Sequence, residues 1–312
     1  MKSQELLPIE YLEKELGTNW VHLRKARELA FATKELLEQK LDKYSSDDVG
    51  IVVFGSLARN EFTEGSDIDW TLLLDGSASA HHLTTKNHVK AIVKTIENKP
   101  LGAEGTFGNI AISHDILHKI GGADDTNKNT TQRILLLLES TPIGNREAWS
   151  RTINEVLSRY VGEDWGLRNK IDSIPRFLLN DIVRYWRTLC VDFAYKRRER
   201  EGKGWAIRTI KLRLSRKLIY ASGLLSCYSC ILNKDLTDKI ESATSNGEIK
   251  QLVIDHMTIQ MRQSPLDIIS SIAISNKSLI GATKELIDSY DSFMALQQNL
   301  WITEGSGSSP SV

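Results

Sequence analysis

Ile51-Val52-Val53-Phe54-Gly55-Ser56-Leu57-Ala58-Arg59-Asn60-Glu61 and, after four more residues, Ser66-Asp67-Ile68-Asp69-Trp70 carry most of the structural information in this 312-residue chain. An apolar, β-branched run that ends in Gly-Ser reads as a buried strand, and the glycine lets the backbone turn tightly into a helix expected to start near Ser56. The first N–H groups of such a helix have no partner inside it and face an incoming anion. After ten intervening residues from Ser56, Asp67-Ile68-Asp69 heads a second expected strand, Asp67 to Leu74. Side chains two apart on a strand share a face, so Asp67 and Asp69 point the same way. Carboxylates placed like this repel, and a hard divalent cation, Mg²⁺ (or Mn²⁺), held also by substrate phosphates relieves the repulsion. Two such ions would orient an in-line displacement.

The full pattern, Gly55-Ser56-x-x-Arg59-x-Glu61-x(4)-Ser66-Asp67-x-Asp69, resembles the core of the DNA polymerase β nucleotidyltransferase superfamily, and within it the catalytic domain of bacterial PII uridylyltransferases. A second stretch, Gly121-Gly122-Ala123-Asp124-Asp125-Thr126-Asn127 leading into Thr131-Gln132-Arg133-Ile134-Leu135-Leu136-Leu137-Leu138-Glu139-Ser140, resembles uncharacterised relatives of those enzymes. The resemblance covers residues 45 to 145 firmly and the rest loosely. It implies an α/β (α+β) core with a short mixed sheet flanked by helices. The implied activity is metal-dependent transfer of a nucleoside monophosphate from an NTP to an acceptor hydroxyl, with release of pyrophosphate. On that reading Asp67 and Asp69 are the metal-binding catalytic acids, Gly55, Ser56 and Ser66 hold the nucleotide, and Arg59 offsets developing negative charge. The superfamily's third carboxylate, a metal ligand or general base, has no unambiguous counterpart. Glu104, in a glycine-rich loop ahead of an expected strand from Phe107 to Ser113, is preferred over Asp115. The latter reads equally as the first-turn acid of a helix from Ile116 to Ile120.

The remaining sequence reads as helix. Leu12, Leu16, Trp20, Leu23, Ala26 and Leu29, then Leu36, Leu37 and Leu41, mark an amphipathic arm broken near Gly17-Thr18. It packs on the sheet within one chain or joins two copies of the chain. A helix is expected from His88 to Asn98, and His81-His82 and His88 flank a polar linker after Gly76-Ser77-Ala78-Ser79. Beyond Pro142 no strand-like alternation persists. One helix from Pro175 to about Lys196 places Leu178, Ile182, Tyr185, Leu189 and Phe193 on one stripe, with Arg184 on another face. A second, Trp205 to about Leu225, buries Ile207, Ile210, Leu214, Leu218 and Ala221 and leaves Arg208, Lys211 and Ser215 beside that stripe. In resembling two-domain nucleotidyltransferases such a face contacts the β- and γ-phosphates. That makes Lys211 the preferred clamp, with Arg184 second. The expected organisation is a helical arm (1–45), a catalytic domain (46–145), an α-helical domain closing the nucleotide cleft (146–303) and a flexible tail (304–312).

Composition narrows the partners. The chain is 41% hydrophobic and 26% charged, ordinary for a folded protein, and its formal net charge of zero gives no global attraction to nucleic acid or membrane. Arg184 to Lys217 nevertheless holds twelve Lys or Arg against Asp192, Glu199 and Glu201. No apolar run is long enough to span a bilayer and no leader opens the chain, so a cytoplasmic location is expected. Three cysteines argue against a disulfide scaffold, and Cys227-x-x-Cys230 in an apolar helix reads as core. His114 and His118 lack a convincing third ligand. Three readings follow for the acceptor: a protein, as the uridylyltransferase likeness implies; a nucleotide or RNA end, as in an oligonucleotide second-messenger synthase or a tRNA-modifying toxin of a defence system; or none, in a degenerate core acting as a nucleotide-binding sensor or scaffold.

Overall fold

The computed structural model describes residues 6–97, 110–164, 174–199 and 205–305. Two helices come first, α1 (Pro8–Leu16) and α2 (Val21–Leu41), separated at Gly17, whose φ of +59° is left-handed backbone that ends α1. Then follow β1 (Val49–Phe54), the one-turn α3 (Gly55–Ala58), β2 (Trp70–Leu74), α4 (His81–Glu97), β3 (Ile110–Ile112), α5 (Ser113–His118), α6 (Asn127–Leu138) and β4 (Ser140–Ile143). From there the described chain is helical: α7 (Glu147–Glu163), α8 (Arg176–Glu199), α9 (Trp205–Lys211), a π-helical turn (Leu212–Arg216), α10 (Lys217–Leu232), α11 (Lys234–Ser242), α12 (Asn246–Met261), α13 (Pro265–Ser275) and α14 (Ile280–Gly305). No helix among the described residues is long and apolar enough to cross a membrane.

The sheet is mixed, in the order β3-β2-β1-β4. β1 runs antiparallel to both β2 and β4, and β2 runs parallel to β3. The end at which β1 finishes is therefore the end at which the other three begin. The turn after β1, the Asp67-Ile68-Asp69 segment before β2 and Glu139 before β4 lie along one edge because of this topology alone.

Period-two alternation puts a core on each face of the sheet. Val52, Phe54 and Leu73 pack with α6, α7, α8, α10 and α12 on one face. Ile51, Val53, Leu72 and Leu74 pack with Ala30, Leu37 and Leu41 of α2 and Val89 and Val93 of α4 on the other. A third cluster joins Ile9, Leu12, Trp20, Leu23 and Ala26 to Leu266, Ile287, Tyr290 and Phe293. The apolar face of the amino-terminal helices is thus covered within the chain, by the sheet along the later part of α2 and by α13 and α14 along the rest.

Several expected elements are displaced, each for a local reason. β2 begins at Trp70, not Asp67, because the Ile68 N–H donates to Glu97 Oε1 instead of a neighbouring strand. The residues from His81 are helix, not linker, and Ser113 opens α5 where a strand was expected to end. β4 was not anticipated: Pro142 obscures it, yet it lies at the sheet edge, where a missing N–H is tolerated. In the expected helix from Trp205, the π-turn inserts an extra residue. Ser215 within the turn and Leu218, Ile219, Ser222 and Gly223 beyond it are buried, so the expected Leu218 is buried, the expected Leu214 packs half-buried on the third cluster, and Ala221 is half-buried. Ile210 is 36% exposed. Cys227 and Cys230 are fully buried, as read.

Candidate active site

Gly55 begins the edge. Its φ of +67° is backbone that a side chain rarely adopts, and a Cβ there would lie 3.0 Å from Asp69 Oδ2. The turn and the second aspartate are therefore in direct apposition. Asp69 is fixed through its backbone, whose carbonyl accepts the Phe54 N–H at 2.9 Å. The 2.5 Å bond from Ile68 N–H to Glu97 Oε1 anchors the same segment to α4. Ser66 shapes the preceding loop: its Oγ accepts the Thr63 N–H at 3.1 Å and lies 3.0 Å from Thr63 Oγ1.

These residues line an open cleft of about 810 Å³ between the sheet edge and the helices. Gly55, Ser56, Arg59, Ser66, Asp67 and Asp69 line the sheet side; Lys211, Ser215 and Arg216 come from α9 and the π-turn; Asn127, Lys128 and Thr131 of α6 and Thr188, Asp192 and Lys196 of α8 complete it. Of the expected contacts, Gly55, Ser56, Arg59, Ser66, Asp67, Asp69, Lys211 and Ser215 are brought together. Arg184 and Arg208 do not line the cleft. Arg184 is held by Asp125, through Oδ2 at 3.1 Å and the backbone carbonyl at 2.5 Å, and so fastens the loop before α6 to α8. Glu104 lies outside the described residues. Asp115 is exposed, pairs with Lys119 at 2.8 Å and is not a cleft residue.

Arg59 lines the cleft but is committed to a buried network. Its Nε donates to Glu61 Oε2 at 3.0 Å, Nη1 donates to Glu139 Oε2, and Nη2 donates to Ser215 Oγ at 3.0 Å. Tyr290 OH donates to Glu61 Oε2 at 2.8 Å, bringing α14 into the same cluster. Arg59, Glu61 and Glu139 are 8%, 3% and 8% exposed, so each charge depends on the others for compensation. The hydroxyl of Ser215 is therefore an acceptor for Arg59.

Glu139 is a buried acid of the cleft wall that was not among the expected site residues. Burial pushes its own carboxyl upward against the pull of Arg59. Burial, with the charges of Glu139 and Asp67 added and Arg59 opposing, pushes Asp69 up to about 6. The sequence signals of Glu139 were its place at the end of the leucine run and within the Thr131–Ser140 stretch that carries the family resemblance, and neither points to the cleft until β4 is placed. On the helical side, burial and the neighbouring Arg216 and Arg208 lower the Lys211 ammonium, with Asp67 opposing. Asp69 is thus short of positive charge, which suits a hard divalent ion on the carboxylate oxygens of Asp67 and Asp69. Among the described residues no three His, Cys, Asp or Glu form a complete cage, so triphosphate oxygens and water would fill the remaining positions.

Comparison with known proteins agrees with this arrangement. Residues 33–102 match a family model described as a nucleotidyltransferase domain. No curated protein and no solved structure matches the chain.

Proposed function

We propose that the cleft built in part from residues 33–102, the stretch that matches the nucleotidyltransferase domain model, moves a nucleoside monophosphate from an NTP to the hydroxyl of a phosphorylated acceptor, a nucleotide or an RNA end. The observation that carries the general reaction is the apposition of the Gly55 turn and Asp69 in a cleft that also holds Asp67 and Lys211. Bound Mg²⁺ or Mn²⁺ at Asp67 and Asp69 would screen the triphosphate and polarise the reacting oxygens.

The chain's own groups do the positioning. Backbone N–H groups at Gly55 and Ser56 donate to the triphosphate oxygens, since the first amides of a helical turn lack internal partners. Lys211 faces the leaving pyrophosphate, and its partly desolvated ammonium gains most when that negative charge develops. Arg59 stands behind the site, holding Glu139 and the turn in register. Catalysis on this reading is alignment and electrostatics.

On the acceptor side, Lys128 and Lys196 line the cleft together with polar Asn127, Thr131 and Thr188. Lys196 is paired with Asp192 at 2.7 Å, so Lys128 is the cation that carries the acceptor reading: an ammonium beside hydroxyl and amide donors suits a phosphate-bearing acceptor better than a neutral one. Supplying each labelled NTP with nucleotides, RNA and cell protein, then resolving labelled product by class, tests it. Label in nucleotide or RNA supports the proposal. Label in protein alone would restore the protein-modifying alternative, and NTP binding without turnover would support the sensor or scaffold.

A further inference from the structure

A second cavity, of about 250 Å³, lies behind the Arg59–Glu139 pair, and both of these residues line it as well as the main cleft. Its wall is built from the start of α1, from Lys34 of α2, from Asn60 after α3, from Ser140 and Thr141 of β4, and from the α12–α13 junction with Arg262, Ser264 and Asp267. The charges in this wall are unequally satisfied. Its acids are engaged: Glu139 accepts from Arg59, while Asp267 Oδ1 accepts the Ile9 N–H at 3.3 Å and Oδ2 accepts Ser264 Oγ at 2.6 Å.

The cations are not engaged in the same way. Lys34 Nζ donates at 2.5 Å to Asn60 Oδ1, a neutral amide, and no carboxylate among the described residues lies within ion-pair distance of it. Glu38, one turn along α2, acts on it only through space, and burial leaves the ammonium pushed down to about 8. Asn60 takes a φ of +63°, rare for a residue with a side chain, at the position that brings its amide to Lys34. Arg262 makes no ion pair among the described residues either; its guanidinium lies 6.0 Å from the centre of the Trp149 ring. Arg59 uses three of its five N–H donors on Glu61, Glu139 and Ser215, which leaves two.

We propose that this rear cavity binds a small phosphate-class oxyanion, orthophosphate or pyrophosphate, between Lys34 and Arg262, with Asn60 and Thr141 as neutral donors. Its volume is below the range of ordinary ligand pockets, about 300 to 1,000 Å³, and excludes a whole nucleoside triphosphate. The occupant reaches the catalytic edge through one shared wall. An oxyanion that draws on Arg59 weakens its hold on Glu139, and Glu139 is among the charges acting on Asp69. Pyrophosphate would report accumulated product, whereas orthophosphate would report the surrounding medium.

Calorimetric titration of the metal-free full chain with each anion tests the site. Orthophosphate is expected to bind the wild type at one site, with affinity falling roughly tenfold or more in Lys34→Met and in Arg262→Gln, as for loss of a charged hydrogen bond, while Lys211→Met in the main cleft leaves that site unchanged; pyrophosphate is expected to show the same site plus a second, Lys211-dependent one in the main cleft. Arg262 is exposed, so its variant keeps the test valid should Lys34→Met fail to fold. Tighter binding of one anion names the source and upholds the site in either case. Absence of binding overturns the proposal, as does binding that Lys211→Met abolishes while Lys34→Met and Arg262→Gln retain it.

Discussion

Asp69 concentrates the chemistry in one side chain. Its carboxyl is half-buried at the cleft wall, crowded by Glu139 and Asp67, and its pKa is pushed up to about 6, against 3.8 for the free group. A divalent cation must displace that proton. Metal affinity should therefore be constant above pH 7 and fall by about tenfold per pH unit below 6, as one proton is displaced per site. The same shift has the opposite sign for the metal-free fold. Between pH 6 and 4 the native state binds more protons than the unfolded one, so this residue's contribution to stability rises as pH falls through that window. Metal titrations and thermal melts at pH 5 and 7.5 check both directions. Arg59 predicts a different loss. Arg59→Met leaves Glu61 and Glu139 buried without their cation, so a cost of about 3–5 kcal/mol is expected in chemical unfolding. A variant that merely loses activity at full stability would show that the network is not structural.

At the scale of elements, the β1–α3 turn sets the catalytic geometry. Gly55→Ala should strain φ by about 1–2 kcal/mol and push a methyl group against Asp69 Oδ2, 3.0 Å away. Turnover is expected to drop far more than stability, to be checked by comparing kcat with the melting temperature. This turn was readable from Gly-Ser after an apolar run, and the acid pair from its spacing, because both are local signals. Glu139 was not, since its place depends on β4 pairing Ser140 with Phe54, a contact between residues 86 apart in number that no local period encodes. The helix from Trp205 was readable as a helix, but not its phase. The π-turn at Leu212–Arg216 adds Ser215, Ile219 and Ser222 to the buried side beside Leu218 and brings Ser215, the expected phosphate contact, onto Arg59. Arg184 failed as a phosphate contact because its partner, Asp125, sits in a loop whose path the sequence does not specify.

Across the whole molecule, the sheet edge and the helices form one unit. Tyr290 of α14 reaches Glu61, and Ser215 reaches Arg59, so the helices that complete the cleft also hold the turn at its base. Trp20, just before α2, and Leu23 of α2 are tied in turn to Asp288 and Asp291 of α14 at 2.8 Å each. Such coupling suits a site in which alignment supplies most of the rate. The most direct test is pyrophosphate release from NTP with Mg²⁺ or Mn²⁺ and a nucleotide or RNA acceptor, compared between the wild type and an Asp67→Ala/Asp69→Ala variant of unchanged melting temperature. The account predicts metal-dependent release by the wild type and none above background in the variant. Equal release from both, or none from the wild type with any nucleotide and acceptor, would contradict it.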